Sequence, residues 1–375
     1  MSVGTYTHRA LFYETDDELV ARLVPFVADG IARDERVVVV VNAATGAKLR
    51  RELRPSAEFD LWDANEVYTF PVRTLAAYVD TVVASTERGR RIRVAGEPPW
   101  FGRSSLEVAE WTCVEAACNV VFAGADLEML CPYNTSILDP SIISAAQRTH
   151  PEIQRGEGVS ASSVFDPFSH QSSVRHSALP PRPGSYEQIS IFSAADFSAV
   201  MSFVEGFGRG RGMAERRVGD LETAVRELIE HAVDYRTGPA VLRLWTTGED
   251  LVCEVESGGS YMSPFAGYVP SSVSVAAADG LWRAGQSSDL VAVREHDGNS
   301  TVRIHFSDYL IAVRPECGGI DSLLGVYVLR SCDAAESARV EAHLVTCVEC
   351  RAEVGRLTCV VHEMDGAAQH HEAEG

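Results

Sequence analysis

The sequence predicts three folded modules in series: an α/β domain, an α+β sandwich and a small all-α unit. In residues 1–152, apolar runs alternate with amphipathic helices, and RVVVVVN is a β-branched run that suits a strand buried on both faces of a parallel sheet. In residues 187–309 the order is strand, helices and two hairpins, which indicates a sheet covered by one helical layer. The last stretch is rich in the helix formers Ala, Glu, Arg and Leu.

Composition and charge limit the classes of partner. The 375 residues include 33 basic and 53 acidic side chains, a formal net charge of −20. This charge argues against nucleic acid and anionic membranes, whose phosphates would be repelled, and favours partners with basic surfaces, including proteins that bind DNA. No apolar run approaches the ~20 residues that span a bilayer, and the start lacks a signal-peptide pattern. Nine cysteines, an odd number, favour a reducing cytoplasm.

The first module has a set of polar residues that stand out from its apolar pattern. We predict strands at ALFY, RVVVVVN, VYTF, RIRVAG and LEMLCPY and helices at Glu18–Asp29, Thr74–Glu87, Leu106–Phe122 and Pro140–Thr149. Buried polar groups need partners, and either a ligand or each other would serve. The candidate residues fall at strand ends or on the third helix and are His8, Tyr13, Arg93, Glu97, Glu115, Asn119 and Tyr133.

The order of motifs in residues 1–152 is specific. HRALFYETDDELVARLVPFVADGI is followed by RIRVAGEPPW, by E-x3-N and by CPYN before a helix that ends in HP. This order resembles the MEDS sensory domain, named for methanogen and methylotroph sensors. The resemblance implies that the domain binds a small organic effector and that the polar residues named above line its sensor pocket.

Residues 153–186 are predicted to be a linker. They are rich in Ser, Pro and Gly and have weak periodicity, which indicates an irregular connection. His170 and His176 are not spaced as metal ligands, and we expect both to be solvated.

Residues 187–309 carry VRELIEHAVDY, VESGGSYMSPFAGY, DGLWRAGQSSDLV and NSTVRIHF. These segments resemble the histidine-kinase-like ATPase domains of anti-sigma serine kinases. In that family, the Glu of the E-x3-N motif helps to position or activate the nucleophile, and its Asn holds magnesium. The Asp of the V-x-D-x-G motif binds the amino group of adenine. Glu227 matches and is the catalytic residue of an active kinase, but His231 replaces the Asn and Ser257 replaces the Asp. Gly259 and Gly280 keep their positions in the pocket.

The two replacements predict a degenerate ATP pocket. Imidazole is a poor ligand for magnesium, which prefers oxygen, and serine is uncharged and shorter than aspartate. We therefore expect binding of ATP and magnesium to be weak or lost and the domain to serve as a docking platform. The alternative is an active ATP-dependent protein kinase that acts on serine, threonine or histidine.

The end of the chain has metal-ligand spacing, Cys317-x25-His343-x3-Cys347-x2-Cys350. We predict one helix from Asp333 to Leu357, which would place the last three of these residues on one face. A preceding helix near 320–329 would bring Cys317 as the fourth ligand of a tetrahedral zinc.

Two alternatives remain open for this region. The first is that the cysteines are ordinary buried residues of an amphipathic helix. The second concerns Cys332, which is a rival fourth ligand or, if it is not bound to metal, a thiol that senses oxidants. The zinc would supply part of the folding free energy, because two short helices have too little core to be stable alone.

The stretch from Cys317 to Leu357 resembles the zinc-associated anti-sigma fold and the related putative zinc-finger family. We predict a helical module at residues 314–360 and a disordered polar tail at residues 361–375. The resemblance implies a sigma factor or its antagonist as the partner. The predicted function is a cytoplasmic transcription regulator, an anti-sigma factor that responds to a small effector or a redox signal. The other hypotheses are the active kinase and a zinc-stapled structural adaptor.

Overall fold

The computed structural model describes residues 5–53, 57–235, 238–248, 250–259, 263–270, 279–307, 320, 323–328, 332–344, 347, 350 and 354. It divides the chain into two compact units, residues 1–211 with 215–309 and residues 212–214 with 310–375. Among the described residues, no helix is both long enough and apolar enough to cross a bilayer.

The first unit begins with a sheet of seven strands. The strands are β1 (Thr7–Tyr13), β2 (Arg36–Val41), β3 (Asp60–Asp63), β4 (Ile92–Gly96), β5 (Leu127–Asn134), β6 (Glu152–Arg155) and β7 (Gly158–Ala161). Their spatial order is β3-β2-β4-β5-β1-β6-β7. Every pairing is parallel except that of β6 with β7. This is the α/β domain with a parallel sheet that the alternating pattern predicts.

Helices cover both faces of this sheet. They are α1 (Asp16–Ala32), α2 (Ala43–Glu52), α3 (Ala64–Val67), α4 (Pro71–Glu87), α5 (Ser105–Val121), α6 (Pro140–Thr149) and α7 (Pro167–Arg175). One apolar core lies between the sheet and helices α1 and α2. A second, larger core lies on the other face, under α4, α5 and α6. Because side chains alternate along each strand, residues one apart contribute to different cores.

The second sheet is antiparallel and has five strands. The elements of this region are β8 (Glu187–Ile191), α8 (Phe197–Gly210), α9 (Glu215–Tyr235), β9 (Ala240–Thr247), β10 (Asp250–Gly258), α10 (Asp279–Ser287), β11 (Leu290–His296) and β12 (Asn299–Phe306). The spatial order is β11-β12-β10-β9-β8. Helix α9 contacts strands β9, β10 and β12 and packs against α8 and α10. The architecture is therefore mixed α and β with two sheets, and the finer assignment to the kinase-like fold stays a prediction.

The two sheets of the first unit share one apolar core across a buried ion pair. Phe265, Tyr268 and Trp282 belong to the same cluster as the α4–α5 face of the first sheet. Within it, Arg294 Nη2 of β11 lies 2.8 Å from Glu110 Oε1 of α5. The hydroxyl of Tyr268 donates a hydrogen bond to the other oxygen of this carboxylate. Glu110 is therefore neutralised by groups from the other sheet's side of the unit.

The second unit is small and helical where it is described. It contains α11 (Leu324–Val328) and α12 (Ala334–Leu344). Their core is Ile320, Leu324, Val340 and Cys350. The prediction of one continuous helix from Asp333 to Leu357 is wrong, because Cys347 is not helical, although α12 precedes it and Cys350 and Val354 are helical. One helical turn is kept there, since the N–H of Cys347 donates to the carbonyl of His343 at 3.0 Å. The tail at 361–375 lies outside the described residues.

The VYTF strand is also a wrong prediction. These residues follow β3 and span the end of α3 and the turn before α4. The carboxylate of Asp63 accepts from the N–H of Asn65 and so begins a helical turn, and Pro71 begins the next helix. The strand in this part of the chain is the preceding segment DLWD, which pairs with β2.

The linker prediction is wrong for residues 153–175 of the range 153–186. Strands β6 and β7 form a hairpin that extends the sheet beside β1, and α7 packs against α5. His170 on α7 is buried and its Nε2 lies 3.0 Å from the hydroxyl of Thr112. Burial lowers the pKa of His170 to about 4. His176 is exposed, as expected.

The pair of Glu110 with Arg294 predicts a large loss of stability when one partner is removed. We expect Glu110→Ala to lower the free energy of unfolding by about 3–5 kcal/mol, because the guanidinium is left buried without its carboxylate. The control is Arg209→Ala, which breaks exposed ion pairs with Glu205 and Glu215 and should leave the free energy of unfolding nearly unchanged. Urea unfolding of both variants measures the difference, and equal losses would contradict the account.

Candidate functional site

Three of the predicted pocket residues meet beneath helix α5. His8 lies on β1, and Glu115 and Asn119 lie one turn apart on α5. His8 Nε2 is 3.3 Å from Glu115 Oε2, and His8 Nδ1 is 3.2 Å from Asn119 Oδ1. The amide nitrogen of Asn119 donates to the carbonyl of Thr149 at 2.7 Å. These contacts join the first strand of the sheet to the helix that covers it.

Two further residues that the sequence analysis did not select complete the group. His150 Nε2, at the end of α6, lies 3.4 Å from Glu115 Oε2, and the Sγ of Cys131 on β5 lies 3.6 Å from His8 Nε2. The rings of His8 and His150 are 4.0 Å apart. The donor atoms of His8, Glu115, Cys131 and His150 all lie within 4.8 Å of one another, and all four residues are buried. We call these four residues the buried donor cluster.

Burial and mutual contact set the protonation of the buried donor cluster. Burial alone would raise the pKa of Glu115, but the neighbouring His150 and His8 hold that pKa below its ordinary value. Burial and the nearby His150 lower the pKa of His8 to about 4. Burial and the carboxylate of Glu115 raise the pKa of the Cys131 thiol well above its usual range. Glu115 is therefore the anionic centre of the group.

A small cavity of about 20 Å³ adjoins the cluster. Glu115 and Cys131 border it, and its other walls are mostly apolar or aromatic, including Tyr68, Tyr78 and Trp111. The hydroxyls of Tyr68 and Tyr78 are 2.6 Å apart. A Cβ at Gly96 would overlap the hydroxyl of Tyr68, so this close approach requires glycine. The volume is close to that of one water molecule.

Tyr133 also lies beside the cluster. Its ring packs edge-on against His150 at 5.6 Å and is stacked with Trp100 at 5.8 Å. Burial, and then the charge of Glu115, raise the pKa of the Tyr133 hydroxyl well above its usual range. The structure therefore places four of the seven predicted pocket residues together.

The other three predicted residues belong to the opposite face of the sheet. Arg93 forms an ion pair with Glu35, and its Nη2 lies 3.4 Å from Glu128 Oε2. Tyr13 donates a hydrogen bond to Glu97 at the carboxyl ends of β1 and β4. Burial raises the pKa of Glu97. Arg93, Tyr13 and Glu97 thus have partners within the domain and do not reach the buried donor cluster.

In the middle region, Glu227 is engaged by an arginine. Arg283 of α10 binds both carboxylate oxygens of Glu227, at 2.7 and 2.6 Å. Gly280 lies against the backbone of Glu227, where an added Cβ would meet its carbonyl oxygen at 3.0 Å. The side chain of His231 lies outside the described part of the chain.

The residues at the predicted adenine position of β10 contact the neighbouring strand β12 and the turn before it. Ser257 is buried on β10 opposite Ser300 of β12. Gly259 has a φ of 97° and its N–H donates to the carbonyl of Gly298 at 2.7 Å. The degenerate ATP pocket and its kinase alternative both stay predictions.

The second unit contains a cluster of metal-ligand type. His343, Cys347 and Cys350 bring donor atoms within 4.8 Å of one another. Two thiolates and an imidazole are the ligands that structural zinc prefers. The grouping therefore suggests zinc binding. The predicted fourth ligand, Cys317, lies outside the described residues.

The contacts of Cys332 do not favour either of its two predicted roles, the fourth zinc ligand and the oxidant-sensing thiol. Its Sγ lies 3.9 Å from the carbonyl of Leu323 and it does not belong to the group of three donors. Burial, followed by the charges of Glu336 and Asp333, raises the pKa of its thiol. A thiol that stays protonated reacts slowly with oxidants. These contacts give no support to redox sensing at this position.

We predict that Cys347→Ser and Cys350→Ser each remove about one zinc per chain, because a tetrahedral structural site loses its affinity with a thiolate ligand. Elemental analysis of the purified chain measures this loss. Cys317→Ser should act in the same way and Cys332→Ser should not. The reverse result for these two variants would make Cys332 the fourth ligand.

We also predict that calorimetry of the full chain shows no magnesium-dependent heat of ATP binding. The reason is that two pocket residues are replaced and Glu227 is held by Arg283. Magnesium-dependent binding with phosphate transfer to a partner protein, abolished by Glu227→Ala, would establish the kinase alternative instead.

Comparison with known families assigns both ends of the chain. Residues 7–151 match the model of the MEDS family, the MEthanogen/methylotroph, DcmR Sensory domain. Residues 317–351 match the model of the Putative zinc-finger family. No curated protein matches the chain. The chain therefore carries a region of MEDS sensory type at residues 7–151 and a zinc-finger region, of a kind typical of anti-sigma factors, at residues 317–351.

Proposed function

We propose that the chain is a transcription regulator whose zinc-finger region binds a sigma factor and whose first domain senses a small effector. The observation that carries the proposal is the grouping of His343, Cys347 and Cys350 inside the region that matches the zinc-finger family. Metal there would hold α11 and α12 in one arrangement and so present a defined helical surface to a partner.

The charge of the chain supports a protein partner of this class. A formal net charge of −20 repels nucleic acid but attracts basic surfaces. A sigma factor has such surfaces because it contacts DNA. An antagonist of the anti-sigma type is the alternative partner.

The shape of the first domain supports an effector of few atoms. The cavity of about 20 Å³ beside Glu115 and Cys131 has aromatic walls and a polar side. A cavity of this volume admits only a ligand of very few atoms, which would contact mostly apolar walls. Redox sensing at Cys332 is not part of this proposal.

Helix α5 supplies a physical route from the sensor to the middle region. Glu115 on this helix belongs to the buried donor cluster, and Glu110 on the same helix pairs with Arg294 of the second sheet. Arg175 makes a second link, with its Nη1 3.3 Å from Glu295 Oε1 and its Nη2 2.7 Å from the carbonyl of Pro264. A ligand that shifts α5 must therefore disturb both sheets of the first unit.

The pairing of Glu227 with Arg283 supports docking as the role of the middle region. A carboxylate held by a bidentate guanidinium is not available as a general base unless that pair opens. The middle region then transmits the state of the sensor through contacts, without chemistry of its own.

We predict that a sigma factor copurifies with the full chain from the native cytoplasm and is identified by mass spectrometry. The double variant Cys347→Ser, Cys350→Ser should lose it, because the zinc-dependent surface is lost. The matched control Cys332→Ser changes a cysteine of the same unit and should keep the partner.

If the wild-type chain recovers no sigma factor and no antagonist, the proposal fails and a zinc-stapled structural adaptor is favoured. Repeating the capture with peroxide tests the redox hypothesis separately. Loss of the partner in wild type but not in Cys332→Ser would restore Cys332 as a sensor.

A further inference from the structure

Three of the donor-to-donor distances in the buried donor cluster match those of a tetrahedral metal site. A zinc ion with bonds of about 2.1 Å to N or O and about 2.3 Å to S holds its N and O donors about 3.4 Å apart and its N and S donors about 3.6 Å apart. The distances from Glu115 Oε2 to the two Nε2 atoms are 3.3 and 3.4 Å, and the distance from Cys131 Sγ to His8 Nε2 is 3.6 Å. Three independent distances thus agree with one coordination geometry.

The hydrogen bonds of Asn119 determine which nitrogen of His8 carries the proton. The Nδ2 atom of Asn119 faces three carbonyl oxygens, those of Glu115, Ala116 and Thr149, at 3.3, 3.2 and 2.7 Å. Since carbonyls only accept, this atom must be the amide NH2 and the atom facing His8 must be the oxygen. His8 Nδ1 therefore donates, and in neutral His8 the lone pair is on Nε2, which faces Glu115 and Cys131.

His150 reaches the same state by a different route. Its Nδ1 lies 2.9 Å from the carbonyl of Ala146 and 3.0 Å from the hydroxyl of Thr149. Because the carbonyl only accepts, Nδ1 donates and the lone pair is again on Nε2. Among the described residues, this fully buried Nε2 has no hydrogen-bond partner. It points at the carboxylate of Glu115.

Two imidazole lone pairs and a thiol thus converge on one carboxylate away from water. Such an arrangement is repulsive unless positive charge lies between the donors. Metal-binding histidines commonly have this pattern, in which the second ring nitrogen donates to a carbonyl or amide oxygen and fixes the ring. We propose that His8, Glu115, Cys131 and His150 bind a divalent transition metal ion of the zinc class.

The donor chemistry selects the class of metal. One sulfur and two imidazole nitrogens favour zinc, cobalt or iron over magnesium and calcium, which prefer oxygen. All four ligands come from the protein, as in structural zinc sites. The ion would join β1, β5, α5 and the end of α6. The alternative to a metal ion is protonation, in which both imidazoles carry a proton on Nε2 and their positive charges balance Glu115.

Metal content of the full chain separates these two possibilities. The protein is purified without a histidine tag or chelator, dialysed, and measured by elemental analysis. We expect about two metal ions per chain in the wild type and about one in Cys131→Ser. The double variant Cys347→Ser/Cys350→Ser should also retain about one, and the triple variant that combines all three changes should retain none. The control is Cys118→Ser, which changes a buried cysteine of α5 that borders the same cavity but lies outside the donor set. It should keep two.

A wild-type chain whose metal disappears entirely in the Cys347→Ser, Cys350→Ser variant would overturn the proposal. Retention of the full metal content by Cys131→Ser would overturn it equally. Because this readout is metal content, it does not depend on whether a sigma factor binds, and failure of one proposal leaves the other standing.

A second measurement guards against variants that fail to fold. In the Cys347→Ser, Cys350→Ser background, cobalt added in place of zinc should give a thiolate-to-cobalt charge-transfer band that Cys131→Ser abolishes. Asn119→Ala retains all four ligands and should weaken cobalt binding about 10–100-fold in competition with a chelator, because His8 loses the group that orients it. An unchanged affinity in Asn119→Ala, or no band in the folded background chain, would contradict the proposed site.

Discussion

The first unit depends on how helix α5 satisfies two carboxylates that it buries on opposite sides. Glu110 and Glu115 are both withdrawn from water, and an isolated buried carboxylate is prohibitively costly. Glu110 forms an ion pair with Arg294 and accepts a hydrogen bond from Tyr268, both from the region of the second sheet. Glu115 lies against His8 and His150 of the first sheet and its helices, and the proposed metal ion would balance its charge. The helix can be buried on both faces only because each side supplies this compensation.

This arrangement makes the sensory domain and the middle region parts of one packed body. A ligand or metal ion at Glu115 acts on a helix whose other side carries the contact to Arg294, and packed cores respond to displacement by repacking. The cavity of about 20 Å³ borders Glu115 and Cys131, so an effector bound there would touch two members of the donor cluster. Sensing and metal binding would then share the same residues.

The parallel sheet with its covering helices, the strands of the second sheet and the C-terminal donor triad could be predicted from the sequence, because each depends on local periodicity or spacing. His150 and Cys131 could not, because their significance appears only when β1, β5, α5 and α6 come together. Strand alternation was available and would have separated Tyr13 from His8, since residues an odd number apart face opposite sides. VYTF has the composition of a strand, but its apolar residues lie at the end of α3 and in the turn before α4. The strands β6 and β7 are too short for their residues to show a periodic pattern.

The most direct test of the account is an anomalous difference map, recorded at the zinc absorption edge from crystals of the full chain. The account predicts two peaks, one among His8, Glu115, Cys131 and His150 and one among His343, Cys347 and Cys350. A single peak at the C-terminal triad, with Glu115 bridging two protonated imidazoles, would contradict the claim that a metal ion balances the charge of Glu115.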